Sequence, residues 1–272
     1  YLKIFPIWLK NRPELEFKQL AEQSKSHILS QLAKRDYNKA VLSCENFCQF
    51  NDESDLASLY KDLKTVAKSI KVVIYLRHQL NHIDSAYKQR VQTRMEARPF
   101  GEFFTDILNN KGSEFDYKKI LLEYGKIFGE KNIIVRNFNS EHLVKGDIVC
   151  DFNKLLGIHM AYSDNSKNIS PSAQNIEFFR LTQSANSLDK MSKQKIARVL
   201  RSKKMTKMNG AKYFFLEEHK KVVQDIFSKD NEYLSKKFKF PILEAPSIDV
   251  KDQFSAFTTK QVEEFLRLTL YT

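Results

Sequence analysis

The chain has 272 residues, of which 42% are hydrophobic and 29% charged, and it contains 21 Phe and 11 Tyr. This composition excludes disorder as the main state, because it supplies enough apolar surface for a core. No apolar run reaches the roughly 18 residues of a membrane span, and the net charge of +12 directs the protein toward anionic partners.

The first half of the sequence alternates between helical and strand-like patterns. Apolar residues at helical spacing, and one polar stretch, predict helices over 14–35, 53–70, 82–95, 100–109 and 116–127. Runs of apolar and β-branched residues predict strands at 40–42, 71–76 and 132–136. Strands separated by helices indicate a parallel sheet with right-handed crossovers.

The second half reads differently, because strand patterns almost disappear from it. Helices are predicted over 147–156, 172–188, 190–202, 217–236 and 259–270. The predicted fold class is therefore α/β, with a parallel sheet flanked by helices and a mostly helical C-terminal half.

One strand end carries residues suited to binding an anion. Arg77 directly follows the strand 71–76, and Ser85 lies eight residues later, within or at the start of the next helix. A guanidinium group and a hydroxyl group placed in this way can converge on a phosphate. An ordinary surface arginine and an ordinary helical serine would produce the same pattern.

These residues resemble a known family. Ile74-Tyr75-Leu76-Arg77 followed by Ser85-Ala86-Tyr87 is similar to the element with which sulfotransferases bind the 3′-phosphate of PAPS (3′-phosphoadenosine-5′-phosphosulfate). The likeness runs in order from about residue 39 to 240 and is closest to the bacterial branch that acts on carbohydrates. Further segments that resemble this branch are 41–47, 129–136, 146–152, 168–172 and 179–181.

The resemblance implies a P-loop-NTPase-like parallel sheet and two functional parts of the chain. Residues 1–160 would form the PAPS-binding core, and residues 161–272 would form a helical cover with the acceptor-binding part of the same domain. The implied reaction moves a sulfuryl group from PAPS to a hydroxyl of a bacterial surface glycan or glycolipid. It releases adenosine 3′,5′-bisphosphate and requires no metal.

The family's loop of the Lys-Thr-Gly-Thr-Thr type, which binds the 5′-phosphosulfate through backbone N–H groups, has no counterpart here. The first glycine of the sequence is Gly101. We expect the first strand and its loop to lie upstream of Tyr1; the alternative is a relative that has lost transferase activity.

By resemblance, Glu45 is the general base. The segment Val41-Leu42-Ser43-Cys44-Glu45 is similar to the family's strand ending in Ser-Ser-Glu, and transfer to a hydroxyl needs a group that takes its proton. A capping or salt-bridged glutamate is the structural alternative. His78 and His82 lie between Arg77 and Ser85, and we expect both to be exposed.

The segment 190–212 contains nine basic residues and no acidic one. It could bind the nucleotide or an acidic acceptor, or it could be an ordinary solvated helix face. It also supports the alternative function, a non-catalytic protein that binds polyanions or nucleic acid on a sulfotransferase-like fold. For the enzyme we expect a nucleotide donor and a carbohydrate acceptor, with no stable nucleic-acid complex.

Other kinds of site find little support. Cys44 and Cys48 are one position too far apart for a Cys-x-x-Cys pair, so we predict no metal site. Three cysteines are too few for a disulfide framework and fit a reducing compartment, the cytoplasm or the inner membrane surface. A small-molecule kinase is a weaker interpretation, because it needs the same missing loop.

Overall fold

A computed structural model describes residues 14–34, 38–43, 47, 52–93, 95–109, 114–158, 171–185, 188–200, 210–247, 249–254, 257 and 263. Nine long helices and two paired strands are found in these ranges. The helices are α1 (Glu14–Ala33), α2 (Glu53–Lys64), α3 (Gln79–Gln92), α4 (Phe100–Asn109), α5 (Tyr117–Phe128), α6 (Ile148–Leu156), α7 (Ala173–Ser184), α8 (Lys190–Leu200) and α9 (Glu217–Phe238). The strands are β1 (Val72–Leu76) and β2 (Ile133–Asn137).

The described fold is mixed α/β and mostly helical. β1 and β2 form a two-stranded parallel sheet, and a short parallel bridge joins Tyr213 to Gln253. The wider P-loop-NTPase-like sheet stays a prediction. Within the described residues, no helix has the length and apolar character needed to cross a membrane.

The predicted strand at 40–42 is not formed. Residues 39–43 lie outside helices and strands, and Val41 and Leu42 are 47% and 41% exposed. An extended segment becomes a strand only when a neighbour completes its hydrogen bonds. No described segment pairs with these residues, so their apolar character alone did not make them a strand. Most of the predicted helix 259–270 lies outside the described residues.

Short polar side chains set the start of several helices. Asp52, Asp116, Asp147 and Ser172 each accept a hydrogen bond from a backbone N–H two or three residues later, at 2.9 to 3.3 Å. These bonds satisfy donors that the first turn of a helix leaves unpaired. The starts of α2, α5, α6 and α7 therefore lie within a residue of their predicted positions.

Contacts group the chain into two compact units. The first unit comprises Tyr1–Leu76, Gly112–Arg136 and Asp230–Pro241, and the second comprises Arg77–Lys111, Asn137–Lys229 and Ile242–Thr272. The predicted division near residue 160 stays a prediction.

The first unit packs α2 against α5. Leu56 and Leu121 are fully buried, and the rings of Tyr60 and Phe128 meet edge to face with centroids 5.2 Å apart. Two ion pairs connect more distant parts of this unit, Lys118 with Asp230 at 2.7 Å and Lys237 with Glu130 at 2.6 Å.

The second unit is built around α3. Tyr87 is fully buried, and its ring lies 5.0 to 5.3 Å from the rings of Phe100, Phe103 and Phe214. Helix α3 also contacts α7, and α7 contacts α8. Aromatic rings in this arrangement bury large apolar areas, so α3 is the central helix of the unit.

A buried ion pair joins α3 to a segment far away in sequence. Asp84 and Lys88 lie one helical turn apart with 2.7 Å between carboxylate and ammonium, and both side chains are more than nine-tenths buried. The Asp84 carboxylate accepts a hydrogen bond from the N–H of Phe214 at 2.9 Å, and the Lys88 ammonium donates to the carbonyl of Lys212 at 2.6 Å. Both charges thus have backbone partners as well as each other.

This pair generates a stability prediction. Replacing Lys88 by Ala leaves the Asp84 carboxylate buried without its counter-charge, which costs about 3–5 kcal/mol. We expect the free energy of unfolding, measured by urea denaturation, to fall by that amount. Lys229→Ala, at an exposed position on α9, is the control and should change it by no more than about 0.5 kcal/mol. A loss below about 1 kcal/mol for Lys88→Ala would show that the pair does not support the fold.

Candidate functional site

The candidate site lies at the start of α3, in the second unit. Arg77 follows the last residue of β1, and His78 is the N-cap residue of α3. The Nδ1 atom of His78 accepts a hydrogen bond from the N–H of Leu80 at 3.3 Å. An imidazole can accept this bond only while it is neutral at that nitrogen. The helix start therefore depends on an uncharged His78.

The side chain of Arg77 lies close to Phe138 and to His82 of α3. Its guanidinium group stands 5.6 Å from the ring centre of Phe138, and its positive charge acts on the imidazole of His82. Ser85 is three residues after His82, so the two occupy neighbouring turns on one face of the helix. Ser85 is half-buried and is the seventh residue of α3. Arg77 thus acts on His82, and the convergence of Arg77 and Ser85 on one anion stays a prediction.

The two histidines between them are not exposed, contrary to our expectation. His78 is buried and His82 is half-buried. Burial, together with the charge of Lys220, lowers the pKa of His78 to about 4. Burial, followed by the charges of Arg77 and Arg90, lowers the pKa of His82 to about 3. Both imidazoles are therefore neutral at pH 7.

A third histidine, His219, also accepts a backbone hydrogen bond at the start of a helix, here α9. The N–H of Leu216 donates to Nδ1 of His219 at 2.9 Å, and burial lowers the pKa of His219. Its ring also meets the ring of Phe104 edge to face, with centroids 4.6 Å apart. Two helix starts of the second unit thus rely on neutral imidazoles, a role that nothing in the local sequence indicated.

The electrostatic surroundings of this region favour an anion. Arg77, Arg90 and Lys220 each carry a positive charge that acts on one of the two histidines. Lys220 also lies 3.4 Å from a carboxylate oxygen of Glu217 on its own helix. Because the two imidazoles are neutral, they do not add to the electrostatic repulsion among these three cations.

The far end of the basic segment 190–212 is attached to α3. The carbonyl of Lys212 accepts from Lys88, and the Lys212 ammonium lies 4.9 Å from the ring centre of Tyr213. Its hydrogen bond with Tyr213 raises the pKa of Lys212. A Cβ atom added to Gly210 would come within 2.9 Å of the Ser172 side chain, so only glycine fits there. Residues 201–209 lie outside the described part of the chain.

The predicted base cannot be located relative to this region. Glu45 lies outside the described residues, as do Cys44 and Cys48. Nearby, the carbonyl of Phe47 accepts a hydrogen bond from the hydroxyl of Tyr124 at 2.9 Å. The role of Glu45 as general base stays a prediction.

The described residues offer no metal site, and they form an open depression away from the predicted site residues. No group of three or more His, Cys, Asp or Glu side chains among them is arranged to hold a metal ion. An open depression of about 400 Å³ runs along α4 and is lined by Gly101, Glu102, Thr105, Asp106 and Asn109. It contains none of the predicted site residues, and its two carboxylates disfavour an anionic nucleotide.

Comparisons with known proteins identify no family for the chain. An uncharacterised protein of Archaeoglobus fulgidus is 34% identical to it over 90 residues, which make up 33% of this chain and 23% of that protein. No protein family and no solved structure matches the chain. The match thus spans about a quarter of the relative's length, and the sulfotransferase resemblance stays a prediction.

The buried histidines generate a prediction about pH. Because the pKa of His78 lies below the ordinary 6.5, the unfolded chain binds protons first as the pH falls. The contribution of His78 to the free energy of unfolding is therefore fully present above about pH 6.5 and is lost as the pH falls toward 4. In His78→Asn the amide can still cap the helix but does not titrate. We expect urea denaturation of this variant to show about 1–3 kcal/mol less loss of stability between about pH 7 and pH 4.

His27 provides the matched control for this measurement, because its side chain is exposed on α1. His27→Asn should leave the pH profile as it is in the parent protein. An unchanged profile for His78→Asn would show that the protonation of His78 does not limit stability in acid.

Proposed function

We propose that this chain is a PAPS-dependent sulfotransferase that transfers a sulfuryl group to a hydroxyl of a carbohydrate. The observation that carries the proposal is the position of Arg77 just before α3, where its charge acts on His82, three residues before Ser85. The resemblance assigns a phosphate-binding role to Arg77 and Ser85, and the cationic surroundings suit that role.

The 3′-phosphate of the donor would be bound by Arg77 and Ser85. A guanidinium group offers two parallel N–H donors to phosphate oxygens, and a hydroxyl group can add a further donor. Arg90 and Lys220 would contribute positive potential from α3 and α9. The positive end of the α3 helix dipole would act in the same direction.

PAPS supplies the activated sulfuryl group. Glu45 would take the proton of the acceptor hydroxyl as its oxygen forms the new bond to sulfur. The bond between sulfur and the 5′-phosphate oxygen breaks at the same time, and adenosine 3′,5′-bisphosphate leaves with the electron pair. The described residues contain no loop for the 5′-phosphosulfate.

The proposal also covers the wider sheet, the cellular compartment and the biosynthetic role of the chain. The two-stranded sheet would be part of a P-loop-NTPase-like sheet. The chain would act in the cytoplasm or at the inner membrane surface, in the synthesis of a sulfated polysaccharide. A second candidate, a non-catalytic polyanion-binding protein, is favoured by the density of cations in segment 190–212.

A binding measurement separates these two candidates. We expect adenosine 3′,5′-bisphosphate, but not 5′-AMP, to raise the melting temperature, because a ligand bound only by the folded state stabilises it. In calorimetry Arg77→Ala should weaken bisphosphate binding by about 1.5–3 kcal/mol, the range for a charged hydrogen bond. This corresponds to about 10- to 150-fold in Kd.

Arg198→Ala, at an exposed position on α8, removes the same charge elsewhere and should leave the Kd unchanged. Equal affinity of Arg77→Ala and the parent protein would remove Arg77 from the site. A protein whose melting temperature responds to neither nucleotide would support the non-catalytic candidate.

The proposed base is tested by Glu45→Gln, which keeps the size of the side chain but cannot accept the proton. We expect bisphosphate affinity to stay the same while transfer of labelled sulfate from PAPS to a polysaccharide is abolished. The exposed Glu244→Gln is the control for removal of a carboxylate. Transfer at the parental rate in Glu45→Gln would end the assignment of Glu45.

A further inference from the structure

Helix α8 presents a mainly polar and cationic face to solvent, which also carries the exposed Met191. Its exposed residues are Lys190, Met191, Gln194, Lys195 and Arg198. At 100° per residue these five positions span an arc of about 140°. Beside this arc, Ala197 is buried, and the ammonium of Lys193 donates to the carbonyl of Gln183 on α7 at 2.8 Å. The inner side thus packs on α7, and the outer side is available to a partner.

None of Lys190, Lys195 and Arg198 forms an ion pair in the part of the chain that the structure describes. The nearest acidic residue in sequence, Asp189, accepts a hydrogen bond from the N–H of Ser192. By contrast, α9 intersperses its lysines with five acidic residues. A row of cations without counter-charges attracts polyanions.

The chemistry of the face favours an acidic polysaccharide over nucleic acid. Its three cations lie along about 12 Å of helix axis, whereas DNA-binding proteins commonly contact about 6–10 phosphates. The face contains no aromatic side chain on which a base could stack. A sugar polymer with carboxylates at intervals needs only a few separated cations, and its hydroxyls can hydrogen-bond to Gln194.

The helix belongs to the same unit as α3, and α7 contacts both of them. α8 contacts α7, α7 contacts α3, and α3 carries Ser85. The N–H of Ala173, the first residue of α7, donates to the carbonyl of Ala211 at 2.8 Å, so both ends of segment 190–212 are attached to this group of helices.

We propose that the exposed face of α8 binds the acceptor, and that this acceptor is a carboxylate-bearing polysaccharide. The inference rests on the proposed function, because it takes the bound polymer to be the substrate of the transfer. Lys190, Lys195 and Arg198 hold the carboxylates of the chain, and they take no part in the chemical step.

The test uses a variant with the three substitutions Lys190→Gln, Lys195→Gln and Arg198→Gln. Its matched control carries Lys221→Gln, Lys229→Gln and Lys236→Gln on α9, where the lysines are equally exposed and form no ion pair among the described residues. Fluorescence anisotropy measures binding of labelled hyaluronan, an unsulfated uronate polymer, beside neutral dextran and a short DNA duplex. Each is measured at about 50 mM and about 200 mM salt, because polyanion binding depends on salt.

We expect the parent protein to bind hyaluronan but not dextran, and to bind the duplex more weakly. The α8 variant should lose about tenfold in hyaluronan affinity at the lower salt, and the α9 control should stay within about twofold. Equal losses in both variants would overturn the inference, because attraction would then follow net charge alone. Tighter binding of the duplex would indicate a nucleic-acid partner, and equal binding of dextran would exclude charge recognition.

Bisphosphate-induced stabilisation is measured on the same preparations, so the two proposals can fail separately. Both variants should keep the parental shift in melting temperature. Bisphosphate binding without hyaluronan binding would overturn the acceptor assignment and leave the proposed function intact. Hyaluronan binding without any response to bisphosphate would overturn the proposed function and, with it, the identification of the polymer as an acceptor.

Discussion

The buried pair of Asp84 and Lys88 is the interaction on which the second unit depends. Two charges withdrawn from water are stable only if they are paired and if their remaining hydrogen-bonding capacity is satisfied. Here the pair lies 2.7 Å apart, and each charge also binds the backbone of the 212–214 segment. A displacement of this segment from α3 would leave charges and peptide groups unpaired together, so the two are positioned as one.

The position of α3 in turn determines the character of the candidate site. One side of the helix contributes Ile83, Tyr87 and Val91 to the core, and the other side carries Ser85 and His82, on which the charge of Arg77 acts. Burial keeps the imidazoles of His78 and His82 neutral, because the charged form would lose its hydration next to existing cations. The result is a region of positive potential that also contains uncharged hydrogen-bonding groups, a combination suited to a phosphate.

The proposed donor and acceptor regions draw on different properties of the same unit. The Arg77 region depends on burial and on a defined helix start, so it is suited to one small, multiply charged ligand. The face of α8 depends on exposure and on cations that form no ion pair among the described residues, so it is suited to a long polymer of low charge density. An enzyme that joins a nucleotide-activated group to a polysaccharide needs both kinds of surface.

The sequence by itself determined β1, β2 and most helices, because apolar periodicity and short polar caps act over a few residues. It also made Arg77 and Ser85 candidates and showed the concentration of cations in 190–212. Tertiary structure decided what depends on distant partners. The run 40–42 had no neighbour to pair with, and α3 began at Gln79 instead of 82 because His78 is buried and caps it. Asp84 and Lys88 were readable as an i, i+4 pair, but only packing against Phe214 and Lys212 buried them, since burial is set by contacts more than a hundred residues away.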